Sequence, residues 1–326
     1  MMTCDVQVLC FLDGLHASGI AKCYWNAGMM NYLLKQICSS ESYRLPCWQD
    51  QSGLIPKRPY QILQMRCTIL ASGSKGNCTV IEGESGAILI DAGLSTKELL
   101  QRLSRTDCPP ESIGAVLVTH EHGDHIRGLD VLARRLDIPV FATGGTLLDF
   151  VNHRRTSDKP LDTSICRHDE HFSFGDFDIL PFSTSHDAAE PCGFVIRENG
   201  VRFGYCTDTG MITSHMLALL RHCDGFVLES NHCPEMLENG PYPESLKRRI
   251  RSKRGHLSNT AASDGLRALG ADVPQIILAH LSEINNTMDR VKISAREGLG
   301  LYYGEKNIIV ATQDGTSEKY PQQIVL

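Results

Sequence analysis

Apolar and polar positions alternate in short blocks from Met65 onward, and these blocks predict a domain built from strands and helices. Glycine-rich turns separate three apolar runs, at residues 66–71, 78–83 and 87–91, in "MRCTILASGSKGNCTVIEGESGAILIDAG". Short apolar runs bounded by turn residues are typical of strands. A helical period then appears in "STKELLQRLSR", "DHIRGLDVLARRLD" and "GGTLLDFVNHRR", and it alternates with strand-like runs in "IGAVLVTH" and "IPVFAT".

The second half of the chain repeats this arrangement with more strands. A mainly β stretch runs from "HFSFGDFDILPFSTSH" through "CGFVIRENGVRFGYCTD" to "DGFVLESN", and its "ENG" predicts a hairpin turn. Helical patterns return in "PESLKRRIRSKR" and "NTAASDGLRALGA", next to the strand "PQIILAH". Strands in two groups with flanking helices predict an α/β (α+β) protein, in which two sheets pack face to face with helices outside.

The first 64 residues differ from the rest of the chain. They hold five of the thirteen cysteines and both tryptophans, and they have no sustained period. We therefore expect residues 65–326 to form the functional domain. We interpret residues 1–64 as a poorly ordered extension or as translated sequence upstream of the true start, with a genuine accessory segment as the alternative.

Composition narrows the class of protein. The chain has 326 residues, 42% of them hydrophobic, and a net charge of −6, so it is not basic as a whole. Its cysteines are scattered, odd in number and without a C-x-x-C pair, which favours reduced thiols. No apolar run reaches the roughly 18 residues of a membrane helix, and no secretory signal is evident. These features predict a soluble, cytoplasmic protein that does not bind membranes and that could form a homo-oligomer.

A dense group of possible metal ligands lies in "VTHEHGDHIRG". His120, His122, Asp124 and His125 fall within six residues, directly after the apolar run "AVLV". Imidazole nitrogen and carboxylate oxygen suit Zn²⁺, and also Mn²⁺ or Fe²⁺. Four such ligands are enough to begin two metal sites.

Further candidate ligands stand where other strands are predicted to end: Asp91, His186, Asp208 and His280. Taken singly, an aspartate in such a place is more often a turn or cap residue, and a histidine is more often simply hydrogen-bonded. Together with the central motif they predict a metal site, because strand ends hold side chains rigidly beside open loops.

The motifs and their order along the chain resemble those of metallo-β-lactamase-fold hydrolases, and the resemblance covers residues 66 to about 312. The resemblance implies a four-layer αββα sandwich with two divalent ions, Zn²⁺ in preference to Mn²⁺. Asp91 would orient ligands without binding metal. Because the iron redox members have glutamate where this chain has His122, hydrolysis is favoured. One ion would be bound by His120, His122 and His186, the other by Asp124, His125 and His280, and Asp208 would bridge them.

The substrate is predicted from local features. Dense positive charge neutralises a polyanionic backbone, although an isolated basic run is more often a solvated helix face. His256, in "GHLSN", precedes a helix capped by Ser258 or Asn259, and it resembles the histidine of ribonuclease Z that assists phosphodiester cleavage. The turn "SGSKGN" would place backbone N–H groups and Lys75 near a phosphate. The basic run itself consists of Lys247, Arg248, Arg249, Arg251, Lys253 and Arg254.

Several segments, "MRCTILASGSKGN", "TSHDAAEPCGF", "ESNH" and "LAHLSEINN" among them, resemble the bacterial YycJ/WalJ group of 5′→3′ DNA exonucleases. The resemblance implies a nucleic-acid substrate, DNA in preference to RNA, attacked in line by a hydroxide that the two metals share and Asp124 orients. The short segment between Asp208 and His280 leaves no room for an inserted β-CASP domain. The alternatives are a hydrolase of a small ester, thioester or lactam on the same metal site, and a non-catalytic binding domain stabilised by metal.

Overall fold

Two β-sheets form the centre of the molecule. The structure is a computed structural model that describes residues 65–84, 86–154, 159–269, 272–314, 316–317 and 320–326, so the predictions for residues 1–64 lie outside it. Its strands are β1 (Arg66–Ala71), β2 (Cys78–Glu82), β3 (Ala87–Ile90), β4 (Ile113–Leu117), β5 (Val140–Ala142), β6 (Thr163–Ile165), β7 (Phe172–Phe174), β8 (Phe177–Ser183), β9 (Cys192–Glu198), β10 (Val201–Cys206), β11 (Gly225–Glu229), β12 (Gln275–Ala279), β13 (Asn307–Val310), β14 (Thr316–Ser317) and β15 (Tyr320–Val325).

The described strands pair into one sheet of eight and one of seven. The first sheet has the order β14-β15-β1-β2-β3-β4-β5-β6, and the second has the order β13-β12-β11-β10-β9-β8-β7. Strands β3 to β6 pair in parallel, as do β10 to β13. Parallel strands end at the same edge of a sheet, so the loops after β3 and β4 meet at one edge of the first sheet, and those after β10, β11 and β12 meet at one edge of the second.

Helices cover the outer face of each sheet. They are α1 (Thr96–Leu103), α2 (Gly123–Ile126), α3 (Leu129–Leu136), α4 (Gly144–Asp149), α5 (Ser214–Leu220), α6 (Pro234–Asn239), α7 (Glu244–Arg251), α8 (Asn259–Leu269) and α9 (Met288–Leu299). A π-helical turn, Phe150–Arg154, extends α4, and the 3₁₀ turn Gly300–Glu305 follows α9.

Three apolar layers hold these elements together. The layer between the sheets joins Ile90 of β3 to Phe194 of β9 and Ile277 of β12. A second layer packs α1 and α3 on the first sheet, and a third packs α5, α8 and α9 on the second sheet. The predicted αββα sandwich is therefore confirmed. Asn199 and Gly200 have φ values of 49° and 88°, which suit a two-residue turn, and the predicted β9–β10 hairpin is confirmed.

Two helix predictions were wrong in detail. "DHIRGLDVLARRLD" forms α2 and α3 rather than one helix, because the chain turns at Gly128, where an added Cβ would lie 2.2 Å from the carbonyl oxygen of Leu94. The helix predicted in "PESLKRRIRSKR" ends at Arg251, since Ser252 is extended with ψ 160°. The last two charges of the basic run therefore lie in a turn.

Candidate active site

The predicted ligands converge at the ends of strands from both sheets. Three of them, Asp91, Asp208 and His280, have left-handed backbone with φ of 62°, 52° and 58°. This conformation is uncommon for residues other than glycine and has a local energetic cost, so the surrounding fold must hold these turns in place. Strained turns of this kind cluster at functional sites.

The first group of candidate ligands consists of three imidazoles, those of His120, His122 and His186. Nδ1 of His122 lies 3.1 Å from Nε2 of His120 and 3.3 Å from Nε2 of His186. The other nitrogen of His186, Nδ1, donates to the carbonyl oxygen of Gly255 at 2.9 Å. This contact fixes the ring so that Nε2 faces the other two imidazoles.

The second group consists of Asp124, His125 and His280. Nε2 of His125 lies 3.5 Å from Oδ2 of Asp124, and Nε2 of His280 lies 3.8 Å from the same oxygen. Asp91 is fully buried behind this group, where its Oδ2 accepts from Nδ1 of His125 at 2.7 Å and its Oδ1 accepts from the backbone N–H of Thr119 at 2.8 Å. These contacts fix the ring of His125, and the role of Asp91 as an orienting residue stays a prediction.

Asp208 lies between the two groups. Its Oδ2 is 3.4 Å from Nε2 of His125, and its Oδ1 is 3.8 Å from Nε2 of His186. Within the described residues, Oδ2 of Asp208 and Nε2 of His280 are buried without a hydrogen-bond partner. Unpartnered buried acceptors are costly, and these two atoms belong to the ligand types that bind divalent metals. The donor set therefore fits divalent metal ions.

Charge is unevenly distributed across the site. Burial and the surrounding imidazoles lower the pKa of His120 well below its usual range, so this ring presents a neutral nitrogen, the form that binds metal. Burial opposes a charge on His280, yet the nearby carboxylates of Asp208, Asp124 and Glu229 raise its pKa to about 10. The same carboxylates would stabilise a bound cation.

Glu229 is a site residue that the sequence analysis assigned no role. It ends β11 and is fully buried, and its Oε1 lies 2.8 Å from Nδ1 of His256 and 3.0 Å from Nδ1 of His280. Its Oε2 accepts from the backbone N–H groups of Thr209 and Leu257 at 2.8 and 3.1 Å. Because both oxygens already accept hydrogen bonds, we interpret Glu229 as a residue that holds two imidazoles in place. Glu229 also lies close enough to Asp208, His256 and His280 for these four residues to hold a metal ion.

His256 lies where the sequence predicts it, beside the ligands and at the start of a helix. Its ring stacks on that of His280, with centroids 5.2 Å apart. Ser258 caps α8 by accepting from the backbone N–H of Ala261 at 3.1 Å, which confirms the first of the two predicted caps. Since Glu229 holds Nδ1 of His256, the Nε2 atom of this ring is left for other contacts.

Asn77 is a second residue that the sequence did not reveal. Its backbone N–H donates to the carbonyl oxygen of Asp124 at 2.8 Å, and its side-chain nitrogen lies 3.3 Å from Oδ2 of Asp124 and 3.1 Å from Nε2 of His125. The backbone N–H of Gly93 donates to the carbonyl oxygen of Asn77 at 2.9 Å. Three loops thus meet tightly around Asp124.

Gly93→Ala is expected to lower the free energy of unfolding by at least about 1–3 kcal/mol, the usual cost of overpacking. A Cβ at this position would lie 1.6 Å from the carbonyl oxygen of Asp124, so the loop that carries Asp124 must move. Thermal and urea unfolding measure the effect. Gly123→Ala is the matched control, because a Cβ there meets nothing within 4 Å. Equal stability of the two variants would contradict the prediction.

A cavity of about 230 Å³ opens beside the candidate ligands. One side is ionic, with His122, Asp124, Asp208, His256 and His280, and the other comes from α7 and the residues before it. Arg249 of α7 also lines this cavity, and its guanidinium pairs with both oxygens of Asp187, at 2.5 and 3.1 Å. A charged side chain at the cavity wall is thus held by the residue that follows His186.

The basic run is less uniform than its sequence indicates. Arg251 pairs with Glu238 and Glu244, and Nζ of Lys247 donates to the backbone of Glu238. The guanidinium of Arg254 donates to the carbonyl oxygen of His186 at 3.1 Å. Of the six charges, only those of Arg248 and Lys253 lack a side-chain hydrogen bond or ion pair in the part of the chain that the structure describes. The predicted single polyanion-binding face is therefore largely occupied by internal contacts.

The loop "SGSKGN" is also engaged within the protein. Nζ of Lys75 pairs with Glu283 at 2.6 Å. The backbone N–H groups of Gly73, Lys75 and Gly76 all donate to acceptors of the protein, and the hydroxyl of Ser72 accepts from the backbone N–H of His280. The loop thus positions His280, whereas the phosphate-positioning role of Lys75 stays a prediction.

Comparison with known proteins defines the class. A family model described as a β-lactamase superfamily domain matches residues 87–281, and the chain belongs to this superfamily. With the fold and the convergent ligands, this makes the protein a metal-dependent hydrolase. The predicted family resemblance is confirmed. No helix of the described residues is long and apolar enough to cross a membrane.

Within this superfamily the chain is YycJ-like. It is 38% identical to exodeoxyribonuclease WalJ of Streptococcus pneumoniae over 223 residues, which cover 67% of this chain and 82% of that protein. It is 37% identical to exodeoxyribonuclease YycJ of Bacillus anthracis over 235 residues, 71% and 88% of the two chains. Among solved structures, the metallo-β-lactamase fold protein YhfI from Bacillus subtilis matches with a TM-score of 0.60 and 16% identity, over 77% of this chain and 97% of that one, which supports the fold alone.

Proposed function

We propose that the protein is a dinuclear phosphodiesterase that acts as a 5′→3′ exonuclease on DNA. The observation that carries the dinuclear part is the position of Asp208, whose carboxylate lies 3.4 Å from His125 of the second group and 3.8 Å from His186 of the first group. The choice of DNA and of exonucleolytic cleavage is supported by the relatives, which are both named exodeoxyribonucleases.

Two divalent ions fit the two groups, with Zn²⁺ favoured by the imidazole-rich first group and Mn²⁺ as the alternative. When bound, such ions lower the pKa of water and offset the charge on the phosphate in an in-line displacement. Asp208 would bridge them. The first ion would be held by His120, His122 and His186, and the second by Asp124, His125 and His280.

The remaining residues orient these ligands and move protons. Asp91 fixes the ring of His125, and Glu229 fixes those of His256 and His280, in each case by accepting from Nδ1. With Nδ1 bonded to a carboxylate, His256 can carry a proton on Nε2 and deliver it to the leaving alcohol oxygen. Asp124 is proposed to orient the attacking water as well as to bind metal.

Digestion of end-labelled oligonucleotides tests this proposal. Metal-loaded protein is expected to release the label of 5′-labelled DNA as a mononucleotide at once, and to release the 3′ label only after the strand has been shortened. Parallel assays use RNA and a thioester. Thioester hydrolysis without release of any nucleotide would instead support the small-ester hydrolase, and rapid release of the 3′ label would reverse the proposed direction.

Replacing both Arg248 and Lys253 with alanine is expected to weaken DNA binding and to make it less dependent on salt. These two side chains are exposed and make no internal ion pair among the described residues, so they can neutralise phosphates. Loss of two such contacts should reduce the slope of log K against log salt by about 1.4 for single strands. Binding titrations at several salt concentrations measure this slope.

Arg135→Ala combined with Lys292→Ala is the matched control for charge. Both residues are exposed and neither lines the cavity. An equal change of slope in the two double variants would mean that net charge, rather than the positions of Arg248 and Lys253, governs the salt dependence.

A further inference from the structure

Apolar side chains of α7 line the cavity beside the candidate ligands. Leu246 and Ile250 are four residues apart on α7, so they lie on the same face of this helix. Both line the cavity, together with Tyr242, which lies just before the helix. Tyr242 and Leu246 are only partly buried, and thus an aromatic ring and an aliphatic side chain remain accessible beside an otherwise ionic site.

Tyr242 stands in a rigid segment, "PYP". The residue before a proline is restricted to extended backbone, and proline itself has a fixed φ. Pro243 follows Tyr242 and has a φ of −58° at the start of α7. The backbone at the tyrosine is therefore largely set before any substrate binds, which lowers the entropic cost of a contact with its ring.

The size and chemistry of the cavity limit what can bind there. Its volume of about 230 Å³ is below the roughly 300–1,000 Å³ of typical small-molecule sites, so it suits a single base better than a base pair. The ionic side of the cavity and Arg249 can bind a phosphate. The apolar side chains cannot bind a phosphate, but they can pack against the face of a single base. Any of the bases can stack on an aromatic side chain.

We infer that the site takes one unpaired nucleotide, with its base against the ring of Tyr242 and the side chains of Leu246 and Ile250. This inference rests on the proposed function and defines its substrate more closely as a single-stranded or frayed end. Tyr242 is then a positioning residue for the base, and a paired end must open by one base pair before cleavage.

Single-stranded oligonucleotides with a terminal 2-aminopurine test the stacking directly. Their terminal linkages are phosphorothioates, which slow cleavage during the measurement. Wild-type protein is expected to quench the fluorescence of the 2-aminopurine, Tyr242→Phe to keep the quenching, and Tyr242→Ala to lose it. Tyr302→Ala is the control, since Tyr302 is exposed and does not line the cavity.

Kinetics on unmodified strands provide the second readout. Tyr242→Ala is expected to raise KM about 10-fold, as for the loss of one stacked base, with kcat nearly unchanged. On strands whose terminal residues are abasic, wild type and Tyr242→Ala should have equal KM. A terminal mismatch should raise kcat/KM of the wild type on duplex DNA.

The possible failures are distinguishable. If the wild type releases nucleotides but Tyr242→Ala keeps both its KM and the fluorescence quenching, the stacking inference is overturned and the proposed function stands. If the variant loses as much activity on abasic ends as on normal ends, the ring acts on something other than the base, and the inference is again overturned. If the wild type releases no nucleotide from any oligonucleotide, the proposed function and the inference both fail.

Discussion

Asp124→Asn is expected to lower kcat for phosphodiester hydrolysis at least about 1,000-fold, which corresponds to a loss of about 4 kcal/mol in transition-state stabilisation. The carboxylate lies 3.5 Å from Nε2 of His125 and 3.8 Å from Nε2 of His280. In the proposed function it would help to hold the second ion and to orient the attacking water. Asparagine has the same shape but only one acceptor oxygen and no charge. The variant should therefore fold normally while binding less metal at the second group of ligands.

Asp137→Asn is the matched control for this substitution. Asp137 is exposed and ends α3 in the left-handed conformation, with φ 55°, which asparagine also tolerates. Its metal content and its kcat should equal those of the wild type. Metal analysis measures the metal content, circular dichroism measures the folded state, and the oligonucleotide assay measures kcat. A fully active Asp124→Asn variant with two ions per chain would contradict the role of Asp124 in binding metal and orienting water.

The positions of several candidate ligands followed from a simple rule, since they stand directly after a predicted strand. Asp91, His120 and Asp208 are examples, and the structure brings all three to one edge. The rule works because a strand fixes its backbone and parallel neighbours end together. Their roles at the metal site, with Asp91 orienting and the other two binding, stay predictions.

Other site residues carried weaker signals or none. Glu229 could have been found by the same rule, because it is the acid that ends "DGFVLE". Asn77 and Tyr242 could not, since a turn asparagine and a tyrosine between two prolines have many ordinary uses. Their importance depends on loops that are far apart in the chain and meet only in the folded protein.

The basic run illustrates a limit of sequence spacing, and its role in substrate binding stays a prediction. Its charge density pointed to one binding face, but sequence spacing does not reveal which charges are neutralised by partners elsewhere. Arg249 forms an ion pair with Asp187, and Arg251 forms one with Glu238, which lies thirteen residues before it. The feature of α7 that faces the cavity is instead its apolar side, which hydrophobic spacing indicates only once the bounds of the helix are known.

Glu229→Gln is expected to lower both stability and activity, because this one side chain serves four donors. The amide of glutamine has a single acceptor oxygen, and in either orientation its NH₂ group faces buried N–H donors. It would meet the imidazoles of His256 and His280, or the backbone N–H groups of Thr209 and Leu257. Leaving such donors unpaired should lower the free energy of unfolding by about 3 kcal/mol.

The kinetic effect separates this role from a purely structural one. Loss of a residue that orients metal ligands typically costs about 10–100-fold in activity or metal affinity. Glu198→Gln is the matched control, since Glu198 is also buried and accepts from a backbone N–H, that of Glu84 at 2.9 Å, in a different part of the fold. The control should lose stability without losing kcat. The expected result is a fall in kcat confined to Glu229→Gln, with altered imidazole signals of His256 and His280 in NMR spectra. If both variants retained the wild-type kcat at a temperature where they are folded, Glu229 would be a structural residue only.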